Sequence, residues 1–218
     1  MDSQSQLYAA RLDIDYPETL ERVTTAFRLI WVIPIAILLS LLSASASSTY
    51  TVVTETGEVV SRVTNSGGGV LGGLLAATAL MIVFRQRYPR WWFDFALELT
   101  RFGTRVGSYV ALLTDRYPST VEQQSVHIEV DYPDVQRDLN RWMPLVKWFL
   151  IIPHVVVLAL LAVGAVFAVF FAWFAILFTG RYPRALFDYV VGVMRWGLRV
   201  DAYAGLLVTD RYPPFSLR

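Results

Sequence analysis

The sequence predicts an all-α integral membrane protein of two tandem helical hairpins. That makes four transmembrane helices, each hairpin being followed by an amphipathic helix at the cytoplasmic interface. Three observations carry the prediction. First, of 218 residues 55% are hydrophobic, 14% aromatic and only 17% charged, and the mean hydropathy is +0.46; soluble domains carry about 25% charged residues. Second, long apolar stretches fill Leu29–Ala46, Gly67–Phe84 and Trp148–Phe178. Third, an internal repeat relates the two halves of the chain. The composition also excludes chemistry. Without Cys there is no disulfide scaffold, iron–sulfur cluster, thiol catalysis or thiolate zinc site. Two His leave little for a histidine metal site, and a formal net charge of +1 points to no acidic partner and no nucleic acid.

Taken in chain order, the first fifteen residues are polar and the first apolar run begins at Leu29, so no cleavable signal peptide is expected. Leu7–Tyr16 and Ser125–Tyr132 alternate in β fashion and are expected to be short cytoplasmic strands, paired with each other or with a neighbouring chain. The first span lies within about 29–46 and the second within about 67–84, closed by Arg85 and Arg87. Between them the polar insert 47–66 carries Tyr50–Val53 and Val59–Val63, a small extracytoplasmic β-hairpin around Glu55–Glu58. Trp148–Phe178 is almost continuously apolar for 31 residues. As one helix it would measure about 46 Å against a hydrocarbon core of about 30 Å. It is either one tilted helix or a hairpin turning near Ala162–Gly164.

The repeat favours the hairpin. Asp15-Tyr16-Pro17 matches Asp131-Tyr132-Pro133, Pro34 matches Pro153, and Arg87-Tyr88-Pro89-Arg90 matches Arg181-Tyr182-Pro183-Arg184. Phe93-Asp94 matches Phe187-Asp188, and Arg101 and Arg105 match Arg195 and Arg199. The first half has two apolar runs split by the insert, so the second is expected to split likewise, into spans of about 148–162 and 164–178. The repeats are 1–118 and 119–218, with interfacial helices at 90–113 and 184–208. Of 19 Lys and Arg, only Arg62 lies in the insert. By the positive-inside rule both termini are cytoplasmic and the insert is outside, in a multi-pass protein of the inner (cytoplasmic) membrane.

The second half, Asp131–Leu217, resembles the bacterial and archaeal membrane family catalogued as domain of unknown function 4389. Ile152–His154, Ala172–Arg184, Phe187–Trp196 and Thr209–Leu217 carry the resemblance. The first half is similar to the same unit more loosely, with Arg85–Arg90 for Thr179–Arg184, Ile35 in place of His154, and the added insert. The resemblance implies a membrane-embedded helical fold and no particular activity.

Several residues stand out for chemistry or packing. Arg90, Asp94, Glu98, Arg101, Arg105 and Ser108 form one polar line along a helix, and Arg184, Asp188, Arg195 and Arg199 repeat it. Such a helix lies in the membrane interface or packs under the bundle with its charges paired. Asp94 and Asp188, each with Arg at −4 and +7, are the best site-like carboxylates: they lock their helices by ion pairs, or face a shared cavity. His154, beside Pro153 in an apolar helix, donates to the carbonyl that Pro153 frees, or serves a proton relay or metal. Arg28 and Lys147, each six residues before the Pro of its span, are expected to snorkel to headgroups. The six Tyr-Pro pairs are expected to be chain corners at the membrane interface. Gly68 and Gly72, like Gly164 and Ala168, are spaced for close helix packing.

No nucleophile elbow, HExxH, phosphate loop or dinucleotide fingerprint is present. No catalytic residue, cofactor or metal is therefore expected. The first functional expectation is a non-enzymatic membrane scaffold or accessory subunit engaging lipid or a protein partner, as a homo-oligomer or as part of a membrane complex. The alternative is a conduit or carrier for a small solute, ion or lipid formed by an oligomer. A membrane enzyme using Asp94 and Asp188 ranks last.

Overall fold

A computed structural model describes residues 8–43, 46–53, 59–66, 69–119 and 124–218. The elements are β1 (Ala10–Ile14), α1 (Arg22–Ala26), α2 (Arg28–Ser43), β2 (Ala46–Val53), β3 (Val59–Ser66), α3 (Gly69–Leu80) with a π-helical turn (Met81–Arg85), and α4 (Arg90–Val110). The second half adds β4 (Val126–Val130), α5 (Val135–Asp138), α6 (Met143–Leu150), α7 (Ile152–Thr179) and α8 (Arg184–Ala204). The fold is mostly helical. The two arms do form strands, and they pair with each other: β1 and β4 are antiparallel with Leu12 opposite Ile128. The insert is a hairpin of β2 and β3; its expected turn residues Glu55–Glu58 lie outside the described residues.

The expected pair of spans at 148–162 and 164–178 is a single helix. α7 runs unbroken through Ala162–Gly164 for 28 residues, about 42 Å. Among the described residues it is the one helix long and apolar enough to cross a membrane. The insert explains why the hairpin expectation failed. The repeat equates Ser43 with Ala162 and Gly69 with Val163, two neighbours in α7. Pairing of Ala46 with Ser66 brings the ends of the insert together, so adding it does not require a reversal of the helix. Burial agrees: Ile35, Leu74, Thr78 and Ile82 in the first half are buried, as are their counterparts His154, Ala168, Ala172 and Ile176. α2 and α3 together therefore fill the role that α7 fills alone.

Contacts order the elements in layers. α8 packs between β1 and α7, and α4 between β4 and α2, so each half lends its strand to the other half's helix. The layer farthest from the β1–β4 sheet is α2 and α7. α8 is consequently an interior helix, with Phe187, Val190, Val191, Trp196 and Tyr203 buried, rather than one lying free at an interface. Its contacts with α7 run in reverse order, Tyr189 on Leu161 and Trp196 on His154, so the two helices are antiparallel. Pro89 and Pro183 start α4 and α8. Their missing N–H groups cost nothing there, and each ring turns the preceding Tyr out of helical geometry. These Tyr are corners, as expected, but the Tyr88 and Tyr182 side chains are buried in the protein at 3% and 1% exposure.

Candidate functional site

The described charges converge on a doubled, internal arrangement. In the second half the Lys147 side chain is fully buried. Its ammonium donates to the Thr209 carbonyl at 2.8 Å, lies 2.8 Å from Asp210 Oδ1 and sits 4.9 Å from the Tyr203 ring. In the first half Arg28 takes the same place. It donates to the Tyr109 and Thr114 carbonyls, both at 2.8 Å, pairs with Asp115 and covers the Tyr109 ring at 4.5 Å. The second carboxylate oxygens accept the backbone N–H of Asn140 and Glu21 respectively. The expectation that Arg28 and Lys147 snorkel outward is thus overturned: both are buried against internal partners. Burial pulls the Lys147 ammonium below its ordinary range, and the bond to Asp210 opposes that shift.

Asp115 and Asp210 were the residues missed in the sequence. The available signal was the duplicated Thr-Asp-Arg-Tyr-Pro at Thr114–Pro118 and Thr209–Pro213, with a cation six residues before each matching Pro. Both corners also hold a buried leucine, Leu112 at φ 64° and Leu207 at φ 57°. A left-handed leucine costs about 1–2 kcal/mol. Its recurrence places the Thr114 and Thr209 carbonyls where the cations need them.

A second duplicated set crosses between the halves. Arg195 Nε donates to the Leu12 carbonyl at 2.9 Å and Arg101 Nη2 to Ile128 at 3.2 Å. The Tyr16 and Tyr132 hydroxyls donate to the carbonyls of Tyr182 and Tyr88, and Arg184 and Arg90 cover the rings of those same Tyr16 and Tyr132. Asp94 and Asp188 are not brought into a shared cavity. Both are exposed; Asp188 pairs with Arg184 at 3.7 Å, while Arg195 turns instead to Asp13 at 3.7 Å and Arg101 to Glu98. The like stripe on each helix suggested Asp188 with Arg195, but the exchanged strand supplies a nearer acid.

His154 is buried in an aromatic cage. Its Nδ1 accepts the Trp196 indole N–H at 3.1 Å, and Phe215 stacks on the ring at 3.9 Å. It is thus an acceptor from α8, not a donor to the carbonyl freed by Pro153. With Nδ1 accepting, the neutral ring carries its proton on Nε2, which is buried without a partner. Among the described residues no three His, Asp or Glu gather in a way that would hold a metal. Gly164 serves packing: a Cβ there would meet the Tyr189 hydroxyl at 2.5 Å. Ala168 is buried on the same helix. Gly72 is half-buried, and Gly68 lies outside the described residues.

Residues 141–216 match the profile of the family described as Domain of unknown function (DUF4389). This segment of the chain is a DUF4389 domain. No curated protein and no solved structure matches the chain. The DUF4389 segment holds Lys147, the His154 cage, all of α7 and α8, and Asp210, so one cation site falls inside it except for the Asn140 N–H. The Arg28 site repeats that geometry outside the matched residues, and β4, which lies before the DUF4389 segment, ties the two halves together through β1.

Proposed function

We propose that the protein is a non-enzymatic membrane scaffold, seated in lipid by its outer helices, with the β1–β4 sheet on the aqueous side. One observation carries the reading. α7 buries His154, Ala168, Ala172 and Ile176 while Leu160, Phe167, Phe171 and Phe178 stand 58–77% exposed. α2 does the same with Leu29, Ile30 and Leu41. A soluble monomer rarely exposes apolar patches beyond a few hundred Å², and each of these side chains gains roughly 1.5–3 kcal/mol on leaving water. Because α8 runs back along α7 with Arg184 and Asp188 on it, lipid reaches α7 from one side. That favours a helix lying oblique or in the membrane plane over an upright one ringed by lipid. The scaffold reading is supported by where the charges go: Arg101 and Arg195 tie the two halves to each other, while Arg28 and Lys147 each brace their own half. The sheet side is assigned to the cytoplasm because Arg11, Arg101 and Arg195 gather there.

The test is membrane partition of exposed-face variants. Phe167→Lys with Phe171→Lys places two charges on the lipid side. On an aqueous surface they would be neutral for stability. Loss of alkali-resistant membrane association with an unchanged circular dichroism spectrum supports the seat. Wild-type partition of the double variant, or a wild-type protein released by alkaline carbonate, refutes it.

A further inference from the structure

The two halves differ at one apolar contact. α1 of the first half lies against the end of α7 of the second, and Trp173 fills the space between them, its indole N–H donating to the Thr25 carbonyl at 3.1 Å. The repeat equates Trp173 with Ala79, Phe170 with Ala76, and Thr25 with Pro144. In the first half Ala79 therefore leaves the corresponding space unfilled, with Trp142 and Trp148 along its other wall. It is a groove of about 920 Å³ between α3, its π-helical turn and α6, walled by Ala76, Ala79, Phe84, Leu145 and Trp148. Its size falls in the range of ligand pockets, roughly 300–1,000 Å³. One charged residue, Arg141, borders it. Arg141 is exposed and makes no ion pair among the described residues.

We propose that this groove binds one anionic phospholipid, an acyl chain replacing the missing indole and Arg141 pairing with the phosphate. The chemistry of the site selects that occupant. A nearly wholly apolar wall takes hydrocarbon, and a planar guanidinium at its border takes phosphate oxygens in two parallel hydrogen bonds. α6, which forms the far wall, exposes Leu145, Trp148 and Phe149, so the groove is continuous with the apolar surface proposed above to meet lipid. The proposal rests on that membrane seat. It adds a specific bound molecule, which the seat alone does not require.

The molecule supplies its own controls, because Trp173 fills in one half the place that Ala79 leaves open in the other. Ala79→Trp closes the groove. Trp173→Ala opens a second one beside Arg22, the counterpart of Arg141. The experiment is native mass spectrometry of the full chain released from nanodiscs of equimolar phosphatidylglycerol and phosphatidylcholine. Wild type is expected to retain one phosphatidylglycerol per chain. Ala79→Trp should lower that occupancy at least tenfold, and Arg141→Gln should bring the preference for phosphatidylglycerol over phosphatidylcholine close to one. Trp173→Ala should add a second bound lipid. Wild-type occupancy in Ala79→Trp overturns the proposal, as does no retained lipid in wild type or an unchanged preference in Arg141→Gln. If those failures come from protein that still resists carbonate extraction, only the lipid site is lost. If the protein never enters the membrane fraction, the seat falls with it.

Discussion

Removing Asp210 tests how much the internal cation site holds the second half together. In the native protein the Lys147 ammonium has its three protons facing the Asp210 carboxylate, the Thr209 carbonyl and the Tyr203 ring. Asp210→Ala takes away the one opposite charge that meets Lys147 among the described residues. Lys147 is fully buried and cannot recover its hydration without moving α6 away from α8. Breaking a buried pair on one side costs roughly 3–5 kcal/mol. For a chain of this size each kcal/mol is worth about 2–4 °C in Tm, so the melting point should fall by about 6–20 °C. The surface pair of Arg184 and Asp188 gives the internal comparison, both side chains being more than 60% exposed. Asp188→Ala should cost about 0–1 kcal/mol, a shift under about 4 °C. Lys147→Met with Asp210→Ala removes both charges and should recover much of the loss. The assay is thermal unfolding in one detergent, followed by tryptophan fluorescence. Equal, small shifts for Asp210→Ala and Asp188→Ala would refute the claim that the buried pair is structural.

Other perturbations follow from single geometries. Burial pushes the Asp201 carboxyl up from 3.8 to about 6, a bond from Thr100 partly opposing it. The folded state then holds that proton more tightly than the unfolded chain, so stability falls by up to about 3 kcal/mol as pH rises from about 4 to about 6 and is flat above. Urea midpoints at pH 4.5 and 7 measure this, and Asp201→Asn should abolish the slope. Gln86 caps its helix at φ 47° where the second half has Gly180 at φ 73°; Gln86→Gly should stabilise by about 0.5–1 kcal/mol, read as a Tm gain. The repeat places Ile35 and Phe102 opposite His154 and Trp196. His154→Ile alone leaves the Trp196 N–H unpaired, costing about 1–3 kcal/mol, and adding Trp196→Phe should restore stability in a double-mutant cycle.

Much of this architecture is legible in the sequence because the chain states it twice. The duplicated Tyr-Pro corners, the paired arms and the matching Arg positions all recur in the structure as matching contacts. The hairpin within Trp148–Phe178 misled for a physical reason. A β-hairpin closes on itself, so it can be spliced between Ser43 and Gly69 without changing the direction of the helix. In sequence the splice looks the same as a loop joining two spans. The cation sites were hidden by distance: Asp115 lies 87 residues from Arg28, and helix periodicity reports only neighbours on one element. The same limit misassigned Arg195, whose acid comes from β1 of the other half. Periodicity did identify α4 and α8 as amphipathic, yet could not tell lipid from protein as the surface they cover, and for α8 it is protein on two sides.

The continuity of α7 is the claim on which the membrane seat, the burial stripe and the equivalence of the two halves depend. A single distance tests it. The chain has no Cys, so Val155→Cys with Phe178→Cys, both exposed positions, gives two spin labels and no others. Across 23 residues of unbroken helix, pulsed electron spin resonance in nanodiscs should read about 35 Å between backbones. A hairpin turning at Ala162–Gly164 would fold the two positions back to about 15 Å apart, and that short distance would contradict the account.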